Sequence, residues 1–396
     1  MEFSNYRIRQ IKPSETLAVK AKAAELKKQG RSIIDFSAGE PDIDTPDHIK
    51  EGAIQALKNG HTKYVAVSGI LELREALSEK LNNENGIKAD PASIIVTNGG
   101  KQAIHSFFDV ILEKGDEVII PAPYWVSYPA IVELCGGKGV VISCKSENGL
   151  KLTAEELEQH INEKTKCIVI NSPSNPTGAA YTAEEFKKLA KVMEKYPRCL
   201  ILSDEVYEKI VFSGFEFTSF AKACPELASR VFTVNAFSKT YSMTGWRVGY
   251  AHGPKEVIAA MGRHQSQTTS NVCSIAQYAA LAALKGPHDF IQGMIKDYSR
   301  RINMVKEMLS KSTSVELACN PQGAFYLFLS FKKYLDNNPS SKVKGSGDLA
   351  EYLLDECGVA VVPGEAFGDN SAFRMSVTSP DKILEDGMQR ILKTLG

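Results

Sequence analysis

The chain is short of the features that would place it in several common classes. Its eight cysteines form no C-x-x-C pair and no zinc-ligand spacing, which removes zinc-ribbon and thioredoxin-like readings. Several lie in apolar runs such as Cys167–Ile170, so buried, reduced thiols are expected. No apolar run reaches the ~18 residues a membrane span needs, and Met1–Gln10 carries no signal core; a cytoplasmic location is expected. Lys+Arg and Asp+Glu balance at 47 each, leaving no basic excess to attract nucleic acid or an anionic membrane. There is no H-E-x-x-H or Cys/His cluster for a metal, and the seven histidines are dispersed. There is also no G-x-S-x-G elbow, G-x-G-x-x-G or Walker A motif. Gly136-Gly137-Lys138 is not a P-loop, because Gly139 stands where Ser or Thr is needed. No internal repeat is present.

What remains is a chain of 396 residues that alternates two textures. Short apolar runs predict strands at Ile94–Thr97, Val118–Pro121, Gly139–Cys144, Cys167–Asn171, Cys199–Asp204, Val231–Ala236 and Trp246–Ala251. Most are continuous, as in strands buried on both faces. Helical patterns separate several of them. Lys101–Lys114 repeats Ile104, Phe107, Phe108 and Ile111 at helical spacing and stops at Gly115, and Ala183–Glu194 has Thr182 as its N-cap. The pattern predicts an α/β domain with a mostly parallel seven-stranded sheet between helices. From about Pro287 the texture becomes α+β: a long charged helix, strands at Ala324–Leu329, Val359–Val362 and Phe373–Val377, a polar surface loop at 337–347 and a terminal amphipathic helix. Near the start, a helix (Glu15–Gln29) and a short strand (Ile33–Phe36) lead into the turn Ala38-Gly39-Glu40-Pro41-Asp42. The expected division is an entry segment, 1–45, packing with a smaller C-terminal domain, 287–396, and a large domain, 46–286.

Four segments put polar groups at strand ends, where α/β sheets bind ligands. Ser238-Lys239-Thr240 follows Val231–Ala236, with Arg247 close behind. Taken alone, Lys239 reads first as a solvated surface charge; as a functional group it is an amine for a Schiff base, which needs desolvation. Asp204 ends the run Cys199–Asp204, followed by Tyr207 one helical turn on. It is either an N-cap or the partner of a protonated pyridine nitrogen. Asn175 sits between two prolines in Ser172-Pro173-Ser174-Asn175-Pro176, a turn by composition that can present a fixed amide. Thr97-Asn98-Gly99-Gly100-Lys101 runs from a strand end into a helix start, where backbone N–H groups can cradle a phosphate.

Together, in this order, the four segments resemble the class I aminotransferases of the fold type I pyridoxal-phosphate enzymes, across essentially the whole chain. Pro121-Ala122-Pro123-Tyr124-Trp125-Val126-Ser127-Tyr128-Pro129 and Lys12-Pro13-Ser14-Glu15-Thr16 look like the bacterial aspartate and aspartate/prephenate subgroup. The resemblance implies pyridoxal phosphate held as a Schiff base by Lys239, which also shuttles the substrate proton. Asp204 would pair with the pyridinium nitrogen, Tyr207 and Asn175 with the ring oxygen, and Trp125 would stack on the ring. Gly100, Lys101, Ser238 and Arg247 would bind the phosphate, with Tyr64 reaching it from the partner subunit of an obligate homodimer. Arg374 would grip the substrate α-carboxylate, Gly39 would let the N-terminal segment close over it, and Lys12 and Lys101 are candidates for a distal carboxylate. Some relatives carry a serine three residues before the lysine as a phosphate ligand; here that position is Ala236, with Ser238 as the candidate substitute.

The implied activity is ping-pong transfer of an amino group between aspartate or glutamate and a 2-oxo acid, with prephenate as a further acceptor. An aromatic- or alanine-preferring enzyme is the nearest alternative, since one or two pocket residues change specificity. A lyase or decarboxylase would share the fold and the lysine. A regulator borrowing the fold would carry an added DNA-binding segment.

Overall fold

A computed structural model describes residues 8, 9, 11, 13, 15–338 and 342–396. Lys12 therefore lies outside the described residues.

The first strand, β1 (Ile34–Asp35), follows the helix Glu15–Lys28. The next seven form one sheet: β2 (Ile94–Thr97), β3 (Glu117–Ala122), β4 (Lys138–Ser143), β5 (Thr165–Asn171), β6 (Leu200–Asp204), β7 (Val231–Ala236) and β8 (Gly249–His252). Their spatial order is β2-β8-β7-β6-β5-β3-β4. β3 to β7 run parallel to one another, while β8 is antiparallel to both β2 and β7. The continuous apolar runs account for β2 and β7, in which every residue is buried. β4 departs from that pattern: it is the sheet edge, and only Ile142 along it is buried. β8 begins three residues later than the apolar run Trp246–Ala251 suggests. The Trp246 indole N–H is drawn off to the Thr45 hydroxyl, and Arg247 has a left-handed φ of 55° that a strand cannot hold.

Helices cover both faces. The helix Gly100–Ile111 buries Ile104, Phe107, Phe108 and Ile111, as their spacing predicts, and stacks Phe107 on Phe232 of β7 at 4.1 Å. Each such buried aromatic contributes about 2–3 kcal/mol. The helix ends at Ile111, short of Lys114, and Gly115 (φ 101°) turns the chain into β3. Ala183–Met193 starts with a reciprocal cap: the Glu185 N–H donates to the Thr182 hydroxyl at 3.3 Å, and the Thr182 N–H donates to the Glu185 carboxylate at 2.8 Å.

Beyond the helix Asp289–Leu309 lies a second, antiparallel sheet. β9 (Glu316–Leu317), β10 (Tyr326–Ser330), β12 (Val362–Pro363) and β13 (Ala372–Ser376) are ordered β12-β13-β10-β9. The predicted single strand Val359–Val362 divides in two. β11 (Val359–Ala360) pairs in parallel with β1, after which the chain crosses to pair β12 with β13. The N-terminal segment is thus hydrogen-bonded to the C-terminal part. The closing helix, Asp381–Leu395, buries Leu384, Met388, Ile391 and Leu395. The helices Asp47–Lys58, Leu71–Asn83 and Ser274–Lys285 were not predicted from sequence.

Candidate active site

Parallel strands end on one side of a sheet, so whatever follows β3, β5, β6 and β7 converges there. A cavity of about 320 Å³ opens at that edge. Among the described residues, every residue singled out as a candidate site residue lines it except Tyr64. Tyr64 is 90% exposed, a large aromatic ring left on the surface.

Asp204 closes β6 and is register partner to Asn171 at the end of β5. No helix follows it, so the N-cap alternative falls, and Tyr207 is carried by a turn instead of a helical turn. The Asp204 carboxylate is buried. Tyr128 donates its hydroxyl to Oδ2 at 2.6 Å, and the Val206 N–H donates to Oδ1 at 3.3 Å. Burial pushes the carboxyl up to about 6, against these two donors, which favour the charged form. A cation placed beside it would complete the pairing. Asn171 fixes the neighbouring loop from both sides: its amide donates to the Asp204 carbonyl at 3.0 Å, and its oxygen accepts the Asn175 N–H at 2.8 Å.

Lys239 follows β7 in a four-residue helix, Phe237–Thr240. Its ammonium donates to the Gly39 carbonyl. Desolvation lowers its pKa to about 8; Glu40 opposes the shift, and Arg374 and Arg247 add to it. Lining the cavity with its ammonium on a backbone carbonyl, Lys239 does not match a solvated surface charge.

Arg374 on β13 is 2% exposed. It donates through Nη1 to the Asn175 side-chain oxygen at 3.0 Å and through Nη2 to the Ser37 carbonyl at 2.8 Å, while Nε has no partner. No carboxylate among the described residues forms an ion pair with it. Its guanidinium lies 4.5 Å from the Tyr326 ring centre and 5.2 Å from that of Phe367. A buried cation of this kind is expensive unless an anion arrives.

The opposite end of the cavity is also cationic. Arg247 donates to the Thr244 carbonyl at 2.8 Å and the Asn98 carbonyl at 3.3 Å. Gly99 holds a left-handed φ of 80° there, a conformation that favours glycine, with the Arg247 guanidinium packed against its Cα. Gly100 and Lys101 open a helix whose first N–H groups lack intrahelical partners. The Lys101 ammonium lies 5.1 Å from the Trp125 ring centre, and burial followed by Arg247 lowers its pKa. Trp125 is braced edge-on by Tyr128 at 5.2 Å. Ser238 is buried and lines the cavity beside Ala236.

Three members of the site were not recognised as such from sequence. Tyr128 and Asn171 stand inside the motifs that were singled out, but nothing in their spacing marks them as supports. Tyr326 lies in an apolar strand run and reads as core; its hydroxyl is 3.0 Å from that of Tyr207.

A desolvated amine, a buried carboxylate and two separate cationic ends in one cavity of an α/β sheet are the parts an amino-group transferase needs, and the chain belongs to the class I and II aminotransferase family, whose model matches residues 31–391. Within that family it is 48% identical over 393 residues to an aspartate/prephenate aminotransferase of Cereibacter sphaeroides, covering 99% of this chain and 98% of that protein. Among solved structures it resembles the aspartate aminotransferase of Rhizobium meliloti (TM-score 0.95, 42% identity, 100% and 99% of the two chains covered). The aspartate aminotransferase of Thermus thermophilus with maleate is similar (TM-score 0.92, 40% identity, both chains covered completely). Among the described residues no helix is long and apolar enough to cross a membrane, and no group of three or more His, Cys, Asp or Glu side chains could hold a metal.

Proposed function

We propose that this aminotransferase uses pyridoxal phosphate to move the amino group between aspartate or glutamate and a 2-oxo acid in two half-reactions, with prephenate as a further acceptor. One observation carries the reading: the buried Arg374 guanidinium, with no carboxylate partner among the described residues, shares a cavity with Lys239 and Asp204.

The donor set fits the cofactor. Asp204 suits a protonated ring nitrogen, Tyr207 and Asn175 a ring oxygen, and Trp125 a ring face. Arg247, Ser238 and the helix start at Gly100 and Lys101 suit a phosphate. When bound, pyridoxal phosphate withdraws the electron pair left behind as an amino acid's α-proton leaves. Lys239 Nζ takes that proton and returns it; a pKa near 8 leaves part of the amine neutral at neutral pH. Arg374 holds the α-carboxylate through two hydrogen bonds, orienting the α-carbon toward that amine. Lys101, which lines the same cavity, supplies a cation for a distal carboxylate.

The names of the relatives support the acidic substrates, and the exposed ring of Tyr64 supports a homodimer in which each chain completes its partner's phosphate site. The division into an entry segment to residue 45, a cofactor-binding domain to 286 and a C-terminal domain belongs to the same proposal. So does a cytoplasmic location, supported by eight cysteines that form no disulfide.

The test is visible absorbance. The purified protein with pyridoxal phosphate should show a band that bleaches with aspartate, returns with 2-oxoglutarate and is altered in Lys239→Ala. A band that ignores aspartate moves the specificity elsewhere. No band after reconstitution defeats the proposal.

A further inference from the structure

Tyr326 is the one aromatic residue of the site carried in by the antiparallel sheet, and three contacts converge on it. It opens β10 and is 1% exposed. Its ring underlies the Arg374 guanidinium at 4.5 Å. Its hydroxyl lies 3.0 Å from the hydroxyl of Tyr207, and a Cβ placed on Gly39 would come within 3.3 Å of that same oxygen. Tyr207 and Tyr326 also meet edge-on, with ring centres 5.8 Å apart, so the two hydroxyls are held in register by packing.

Two phenols at hydrogen-bond distance share one proton position between them. If Tyr207 donates to Tyr326, its only proton is unavailable to the cavity. If Tyr326 donates, the Tyr207 proton is free to point at an acceptor there, and its donor strength rises because its own oxygen is accepting. An anionic oxygen in the cavity selects the second arrangement. Burial keeps both phenols protonated, so neither can serve as the anion itself.

We propose that Tyr326 is a positioning residue with two separable roles: its hydroxyl backs Tyr207 as a donor into the cavity, and its ring sets the plane in which Arg374 receives a carboxylate. The proposal rests on the cofactor assignment above, and it deepens that assignment by tying the ring-oxygen contact to the carboxylate contact through one side chain.

Two substitutions separate the roles. Tyr326→Phe keeps the ring and removes the hydroxyl; Tyr326→Leu removes both. Each protein, loaded with pyridoxal phosphate, is titrated with acid and base at its visible band. Each is then titrated with maleate, a dicarboxylate with no amine to react, and melted to verify folding. Tyr326→Phe should raise the midpoint of the spectral titration by about half a pH unit or more, the effect of one weakened hydrogen bond on a proton affinity. Its maleate affinity should stay within about twofold of wild type. Tyr326→Leu should show the same spectral change and bind maleate about fivefold or more weakly, the loss of one buried cation–ring contact. A spectral midpoint unchanged in Tyr326→Phe, or unchanged maleate binding in a folded Tyr326→Leu, overturns the corresponding role and leaves Tyr326 as packing. A wild type that takes up no pyridoxal phosphate overturns the cofactor assignment and this inference together, whereas a loaded wild type with unchanged variants overturns the inference alone.

Discussion

Replacing Lys239 by methionine should make the cofactor-free protein more stable at neutral pH while abolishing its activity. The ordinary lysine value of 10.5 falls to about 8 in the fold. At about 1.4 kcal/mol per unit, holding that amine charged near pH 7 costs up to ~3 kcal/mol, less whatever water in the cavity returns. Methionine has nearly the same length and no charge. It forfeits the hydrogen bond to the Gly39 carbonyl, worth ~1 kcal/mol. The net gain at pH 7 is therefore about 2 kcal/mol. The sign with pH is fixed by linkage. Between pH 8 and 10.5 the unfolded chain binds more protons at this lysine than the folded chain does, so the wild type gains stability across that window and Lys239→Met does not. Denaturant unfolding of both cofactor-free proteins at pH 7 and pH 10 should show the mutant ahead at pH 7 and the difference shrinking by about 2 kcal/mol at pH 10. A mutant that is less stable at both values, or a difference that does not change with pH, would refute the claim that desolvation tunes this amine.

Arg374→Lys should lower kcat/KM for aspartate by about 10- to 100-fold, mostly through KM, because an ammonium cannot reproduce the paired donors; steady-state kinetics checks this. Tyr128→Phe removes a donor that favours the Asp204 carboxylate, so Asp204, now near 6, should titrate higher. The acid limb of pyridoxal phosphate binding, read by tryptophan fluorescence between pH 5 and 8, should move up by about one unit. Lys80 and Glu208 form an ion pair in which both side chains are at most 7% exposed, so Lys80→Met should destabilise by ~3–5 kcal/mol in urea unfolding by leaving Glu208 unpaired. Mixing Tyr64→Ala with Lys239→Ala chains, each impaired alone, should restore about a quarter of wild-type activity through hybrid dimers with one intact site; no recovery would exclude sharing of Tyr64 between subunits.

The sheet was legible because buried parallel strands announce themselves as unbroken apolar runs, as in β2 and β7, and because chemistry in such folds gathers where those runs end. Asp204, Lys239 and Asn175 could be picked out for that reason. The edge strand β4 and the break before β8 were not legible: the first depends on which strand lies outermost, the second on Trp246 reaching Thr45, some 200 residues away. The supports were hidden for a related reason. Tyr326 alternates within an apolar strand like any core residue, and only the antiparallel pairing of β10 with β13 brings it under Arg374. The cut between β11 and β12 at Val361 is equally tertiary, since two different sheets claim one apolar run.

The pairing of β1 with β11 sets a timetable for synthesis. Ile34 finds its partner Val359 only after about 325 further residues have been added. At bacterial or eukaryotic elongation speeds of roughly 5–20 residues per second, the first strand waits between about 15 and 65 seconds with its backbone unpaired. Ser37, a few residues on, waits longer still for Arg374. Lys239 and Asp204 emerge well before then, so for that interval they are present without Arg374 beside them. The cavity is therefore complete only once β13 has been added, which places its assembly late in synthesis.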